Sequence, residues 1–333
     1  MKHRESPLRP PADALRAAPG ACLVLLMLGG AGMAAADEKA QAGEPEHSKP
    51  NAMLESSRAQ VRATTEWLAR GVDSWFGNRP FEDGGRVTDG RLSLGLLKRQ
   101  DQSMDYDVRF NVHLRLPNAE KFAYFFIGRD DKRDIVSDKP ATFSDQQRLL
   151  RERREDPSFF AGLGLELPKG VDARIGFRGG LKPYAQVRYN ASWTLAGGLH
   201  IDFRETLFWA KDDRFGLTTA LSLEKPLSAD LTLRWLGAFT TTQESPKLDA
   251  SSSLGAYRSF GGQRLLSLEA LLNAVQGSGV GLSDYGVQVK WEQPIYREWL
   301  LAEVLVGHFW PRPDAAFPRG RAWALGASVK MNF

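Results

Sequence analysis

The chain is 333 residues long and carries 44 basic against 40 acidic side chains, a formal charge of +4. That near-neutral balance argues against nucleic acid as a partner. Its single cysteine, Cys22, stands near the N-terminus, so the rest of the chain can build neither a disulfide nor a thiolate metal site.

Lys2, Arg4, Arg9 and Arg16 precede an uncharged run from Ala21 to Ala36 that ends in Ala34-Ala35-Ala36 before Asp37. A basic flank, a short apolar stretch and a small-x-small ending predict a secretory signal peptide over residues 1–36. The run is shorter than the ~20 residues a spanning helix needs, and no other uncharged apolar run is longer. A lipid anchor on Cys22 is disfavoured because the apolar stretch follows the cysteine instead of preceding it. Losing the segment would lower the net charge to +2. Residues 37–52 are polar, with Gly43, Pro45 and Pro50, and read as a disordered spacer. Then Leu54, Val61, Leu68 and Trp75 recur every seventh residue, with Thr65 and Val72 between them and Gly77 and Pro80 as stops. This spacing predicts an amphipathic helix over 53–77.

From about Gly90 the period changes to two. Tyr106, Val108, Phe110, Val112, Leu114 and Leu116 alternate with Asp107, Arg109, Asn111, His113 and Arg115, which leaves little room for a helix. Tyr184–Leu195 repeats the pattern, with Val187, Tyr189, Ala191 and Trp193 against Gln186, Arg188, Asn190 and Ser192. Such segments, separated by turn residues, are expected near 90–99, 105–117, 120–128, 158–168, 171–179, 182–195, 198–210, 215–226, 231–243, 250–260, 263–274, 284–293, 299–311 and 321–333. That is about fourteen strands, with twelve or sixteen as alternatives. Ser251-Ser252-Ser253 gives the tenth no clear face. In 199–209 alternation puts Glu205 beside Phe203 and Leu207, so a β-bulge is expected to turn it to the polar side.

The final stretch sharpens the reading. Trp323, Leu325, Ala327, Val329, Met331 and Phe333 alternate with small or polar residues up to the last residue. An apolar face closed by a C-terminal aromatic resembles the last strand of a Gram-negative outer-membrane β-barrel. The resemblance covers Gly90–Phe333 and identifies a class, not a subfamily. It implies an all-β fold, a closed antiparallel transmembrane barrel of about fourteen strands over 86–333, preceded by the helix. It also implies outer-membrane lipid and lipopolysaccharide as surroundings, and insertion machinery that reads Phe333. Two further patterns agree with it. Every second connection is tight, among them Ala196-Gly197 and Gly261-Gly262, while the longest, Arg129–Pro157, is on the opposite side. Short turns belong on the periplasmic side, so both termini should be periplasmic. Seven tryptophans, Trp193, Trp209, Trp235, Trp291, Trp299, Trp310 and Trp323, fall at strand ends, as two interfacial girdles require. A soluble β-sandwich would bury its tryptophans near strand centres.

In a barrel the polar set points inward. The lumen would then be lined by Asp107, Arg109, His113, Arg115, Arg174, Arg178, Arg188, His200, Asp202, Arg204 and Arg234 on one wall, and Glu269, Lys290, Glu292 and Glu303 on the other. If these walls touch they fill the barrel with salt bridges; if water separates them they set a field across a constriction for small hydrophilic or charged solutes. A channel and a filled structural barrel that anchors its helix for a periplasmic partner are therefore both open. The helix would lay its stripe on the periplasmic mouth or plug the lumen; Arg58 at a seam position weakens a coiled coil. The long connection reads as a salt-bridged surface loop, with a lid as the alternative. Ser144-x-x-Gln147 resembles a capping box for a short helix through Leu149 and Leu150. His113, His200 and His308 have no serine at catalytic spacing, so no enzyme is expected, and neither a metal site nor a cofactor motif is present.

Overall fold

The computed structural model describes residues 49–73, 86–115, 123–137, 150, 158–245, 247–276, 281–312, 315–316 and 318–333. The expected signal peptide, nearly all of the spacer, the helix stop at Gly77 and Pro80 and the Ser144 capping box lie outside the described residues. Contacts divide the chain into Met1–Asn51 and Ala52–Phe333. Of the first unit only helical residues 49–51 are described, and every strand belongs to the second.

Helix α1 runs Lys49–Asp73, starting four residues before the expected position. Fourteen strands follow: β1 Arg86–Arg99, β2 Met104–Arg115, β3 Ala123–Asp130, β4 Ser158–Leu167, β5 Val171–Arg178, β6 Lys182–Leu195, β7 Leu199–Ala210, β8 Arg214–Pro226, β9 Leu231–Thr242, β10 Leu248–Ser259, β11 Leu265–Gln276, β12 Gly281–Tyr296, β13 Leu300–Pro311 and β14 Ala322–Asn332. A short helix, α2, spans Lys132–Ser137 between β3 and β4. Each strand pairs with its neighbour in sequence, and β1 pairs antiparallel with β14, so the sheet closes on itself. Closure removes the unpaired edges an open sheet would present. Tight turns at one end use residues free to take positive φ: Gly197 and Gly198 lie at 77° and 76°. This end also holds both barrel termini and is termed the terminal end; the β3–β4 connection marks the opposite, loop end.

The two faces of the sheet differ: apolar side chains stand exposed outside, and mostly small, polar or charged ones are covered inside. Leu94, Ile175, Val187, Leu207, Val304 and Leu325 are exposed on the outside, while their neighbours in sequence are covered inside. The tryptophans take outward positions near strand ends, Trp209 and Trp323 toward the loop end and Trp193 and Trp291 toward the terminal end. Ser251 and Ser253 face inward, whereas outward Ser252 accepts a 2.9 Å hydrogen bond from Trp235 Nε1. That bond gives β10 the face its sequence hides.

The strand registers correct one expectation, and the contacts of the helix give the seat of its stripe. Glu205 does not turn inward: it pairs with Tyr189 and Thr219 in registers that run unbroken along β6, β7 and β8. A bulge would have displaced Thr206, Phe208 and Ala210, all covered inside, and side-chain burial on one face fixes register more firmly than one outward-facing carboxylate can oppose. Helix α1, in turn, seats the described part of its stripe on the rim at the terminal end, against the β12–β13 turn and the last residues of the chain. Leu54 and Val61 pack against Trp299, Leu300 and Met331, with Leu92 and Phe333 alongside. Leu92, Met331 and Leu300 are register partners on the outward face, so the helix straps the outside of the wall where β1 closes on β14 and β13. Arg58 rests its guanidinium 5.1 Å from the Trp299 ring, and Glu55 pairs with Arg297 at 2.8 Å. The polar residue on the stripe is thus part of the contact.

The C-terminal Phe333 completes the closure. Its amide donates to Gly90 O at 2.9 Å, and its ring lies over Gly90 so closely that a Cβ there would come within 2.4 Å of it.

Candidate functional site

The interior has two layers. Toward the loop end, inward positions carry Phe126 and Phe160 on β3 and β4, Tyr184 and Phe208 on β6 and β7, and Leu271, Leu305 and Phe309 on the opposite wall. Two described parts of the β3–β4 connection, α2 and Leu150, pack into this layer. Val136 of α2 is 1% exposed among Phe126, Phe160, Tyr184 and Phe208, with Ile135 beside it, and Leu150 is 1% exposed among Leu97, Leu271, Leu305 and Phe309. One connection therefore touches both walls. At its described residues the connection departs from the expected solvated surface loop, because Ile135, Val136 and Leu150 find covered partners inside, and the transfer of such a side chain from water is worth about 1.5–3 kcal/mol.

Toward the terminal end the interior is ionic. The alternation places Asp107, Arg109, His113, Arg115, Arg174, Arg178, Arg188, His200, Asp202, Arg204, Arg234, Glu269, Lys290, Glu292 and Glu303 on the inward face. On the arginine side Asp172 accepts from Tyr124 at 2.6 Å and pairs with Arg174 at 2.9 Å and Arg188 at 3.3 Å. Arg109 pairs with Asp107 at 2.8 Å, Arg204 donates to Asn190 Oδ1 at 3.0 Å, and Arg234 pairs with Glu224 at 2.6 Å. Across the barrel Lys330 bridges Glu292 at 2.6 Å and Glu303 at 2.8 Å, and Lys290 pairs with the covered Glu269 at 3.2 Å, to which Gln288 also donates. These pairs run along each wall between the same or nearby strands.

Not every inward charge joins this layer. Asp107, three residues into β2, and Arg178, which pairs with Asp213 at 2.6 Å, lie toward the loop end, while His200 pairs with Asp202 at 3.2 Å and Arg115 approaches Glu166 at 4.0 Å at the terminal rim. His308 is outward, its ring 4.3 Å from Trp310 and 4.6 Å from Trp323.

A cavity of about 340 Å³ opens between the layers, lined by Arg91, Arg109, Arg174, Arg188, Arg204 and Lys330 on its ionic side and by Phe126, Ile135 and Phe160 on its apolar side. A second cavity of about 220 Å³ shares Arg91 and Lys330 and reaches Arg234, Lys290 and Glu292. Sequence reasoning missed Arg91, Asp172, Glu224, Lys330 and Tyr124. For Arg91 the signal was present, since Leu92, Leu94 and Leu96 mark the outward set of β1 and leave Asp89, Arg91 and Ser93 inward. For Tyr124 it was not, because Ala123–Ile127 is apolar on both faces.

No protein-family model matches the chain, and no curated protein matches it. Solved structures that resemble it include the loop L8 deletion mutant of OmpT, an outer membrane protein of Vibrio cholerae, at 12% identity over 75% of this chain and 99% of that one, with a TM-score of 0.38. Others are OprB of Pseudomonas putida, at 8% identity over 76% and 95% with a TM-score of 0.47, and the outer membrane channel DcaP of Acinetobacter baumannii, at 7% over 76% and 98% with a TM-score of 0.45.

Proposed function

We propose that this chain is an outer-membrane barrel of a Gram-negative bacterium that conducts small hydrophilic or charged solutes through its ionic interior, with both termini periplasmic. The observation that carries the reading is the pairing of an apolar exterior with the 340 Å³ cavity that opens between the ionic and the apolar layer. A barrel that served only as a scaffold would have no use for so many inward ions around open space, since each buried pair returns little net stability. The outward leucine and valine band fits the hydrocarbon core, and the tryptophans fit the headgroup levels. The tight turns then face the periplasm, and the inserted connection lies at the extracellular mouth. Lipopolysaccharide is the expected lipid there, and Phe333, seated over Gly90 at the seam, is the expected handle for the insertion machinery.

Planar-bilayer recording of the purified protein tests this. Discrete single-channel currents in potassium chloride are expected, and a protein that inserts but never conducts would sink the reading. One observation favours a second reading, the anchor: Val136 and Leu150 close the loop-end layer against opposite walls while α1 is strapped outside with Arg62 and Glu66 paired on its free side. Deleting residues 53–73 separates the two, because a channel keeps its current and an anchor loses its periplasmic partner.

A further inference from the structure

We propose that the cavity between the two layers is a binding site for a small organic carboxylate, its head group held by Arg91 and its carbon skeleton laid against Phe126, Phe160 and Ile135. The proposal rests on the conduit reading for its biological setting and deepens it by naming the solute class. Arg91 is the decisive group. The named cations around it are engaged: Arg174 and Arg188 by Asp172, Arg109 by Asp107, Arg204 by Asn190, and Lys330 by Glu292 and Glu303. Among the described residues Arg91 has neither a hydrogen bond nor an ion pair, and it lines both cavities.

A guanidinium held on a rigid strand presents two parallel N–H donors, the geometry that matches a carboxylate bidentately. Arg109 and Lys330, on the neighbouring strands β2 and β14, add positive potential, and the six Arg and Lys side chains that line the space outnumber its three carboxylates, Asp89, Asp130 and Asp134. The opposite side of the same space is aromatic and aliphatic. A hydrated inorganic anion would leave that surface wetted to no benefit, whereas a short hydrocarbon tail removes it from water. At 340 Å³ the space lies near the lower limit of small-molecule sites, which suits a ligand of a few carbons. A cation of the same shape would meet Arg91 head-on.

Calorimetry on the full chain folded in a neutral detergent, with sodium hexanoate, hexylammonium chloride and sodium phosphate as probes, tests the site. Hexanoate is expected to bind, hexylammonium and phosphate to give no comparable heat. Arg91→Gln should weaken hexanoate by about tenfold or more, and Arg91→Lys should recover part of the loss. Hexylammonium binding as tightly as hexanoate, no heat from hexanoate, or an Arg91→Gln protein that binds unchanged would each overturn the proposal. Phosphate binding equal to hexanoate would overturn the organic part. Should Arg91→Gln fail to fold, Arg91→Lys and Phe126→Ala read the same two contacts. Bilayer recording distinguishes the readings: hexanoate binding without current overturns the conduit and leaves the site, and current without hexanoate binding does the reverse.

Discussion

The two interior layers occupy one cylinder and are held by opposite means. At the loop end, Phe126, Phe160, Phe208, Leu305 and Phe309 pack around Val136 and Leu150, and stability comes from area removed from water. At the terminal end, Asp172, Arg174, Arg188, Glu292, Glu303 and Lys330 hold each other in place along the walls, and the pairs do little more than offset their own desolvation. An apolar layer can seal; an ionic layer can stay wet. Under the proposed conduit reading the first would close and the second would pass solute, which predicts that perturbing them gives different readouts.

The largest effect is expected from removing residues 131–155, since this takes α2 and Leu150 out of the apolar layer at once. Single-channel conductance should rise severalfold, with the ion selectivity of the ionic layer retained. An unchanged conductance would mean that the connection is no barrier. A smaller version is Val136→Asp, which puts a carboxylate among aromatic rings where only 1% of the native side chain meets solvent. The penalty of about 1–3 kcal/mol should release the connection without unfolding the barrel. Faster proteolytic nicking within 131–157, with the barrel's heat-modifiable mobility kept, is the expected result; equal nicking rates would count against insertion.

The packing side of the comparison is sharpened by Phe126→Ala, in a side chain only 2% exposed that touches Tyr124 and Phe160 at ring distances of 6.1 Å each. A loss of about 3 kcal/mol in urea-dependent folding is expected if the layer is as closely packed as a soluble core. A loss under about 1 kcal/mol would show a layer loose enough to admit water.

How much of this was legible in the sequence depends on which face carried contrast. Where one set of alternate residues is apolar and the other polar, as in β2 or β14, the face, the register and the barrel itself could be read directly, and the inward arginines with them. β3 has no such contrast: Tyr124 and Phe126 face inward although Phe125 and Ile127 on the outside are equally apolar. The apolar layer was therefore invisible, and with it the reason the long connection folds in. Its sequence displays charges, but the deciding residues are Ile135, Val136 and Leu150, whose partners include, besides Phe126 and Phe160 on the flanking strands, Tyr184, Phe208, Leu271, Leu305 and Phe309 from strands farther along the chain. Helix α1 is a different case. Its heptad stripe was plain, but periodicity reports that a stripe is covered and not by which surface; the outward face of β13, β14 and β1 looked like lipid-facing wall in sequence because it has the same composition.

Glu205 tests register against charge. It stands among Phe203, Leu207 and Tyr189 on the outward face, and no described residue hydrogen-bonds it. A lipid-facing carboxylate costs less than the ~2–4 kcal/mol of a midplane Arg or Lys, so Glu205→Leu is expected to stabilise folding into lipid vesicles by about 1 kcal/mol while leaving conductance alone. A destabilised Glu205→Leu protein would instead identify the carboxylate as a contact with something beyond lipid.

The smallest effect concerns the turn at the loop end, where the hydrogen bond from Lys182, then its charge and that of Arg178, hold the Asp212 carboxyl below its usual value. Lys182 Nζ lies 2.9 Å from Asp212 Oδ2, with both side chains close to half exposed. A depressed carboxylate contributes stability that is present above its unfolded pKa, near 4, and is lost as pH falls through the lower folded value. Screening at such a site leaves about 0.3 kcal/mol at most. Asp212→Asn should therefore cost that small amount at pH 7 and nothing in strong acid, which flattens the acid limb of the stability curve below about pH 4. The ionic layer predicts more: if its pairs are structural as well as functional, acid should open the terminal end before it disturbs the apolar layer. Hexanoate binding lost at a pH where the connection 131–157 still resists protease would separate the two layers in one titration.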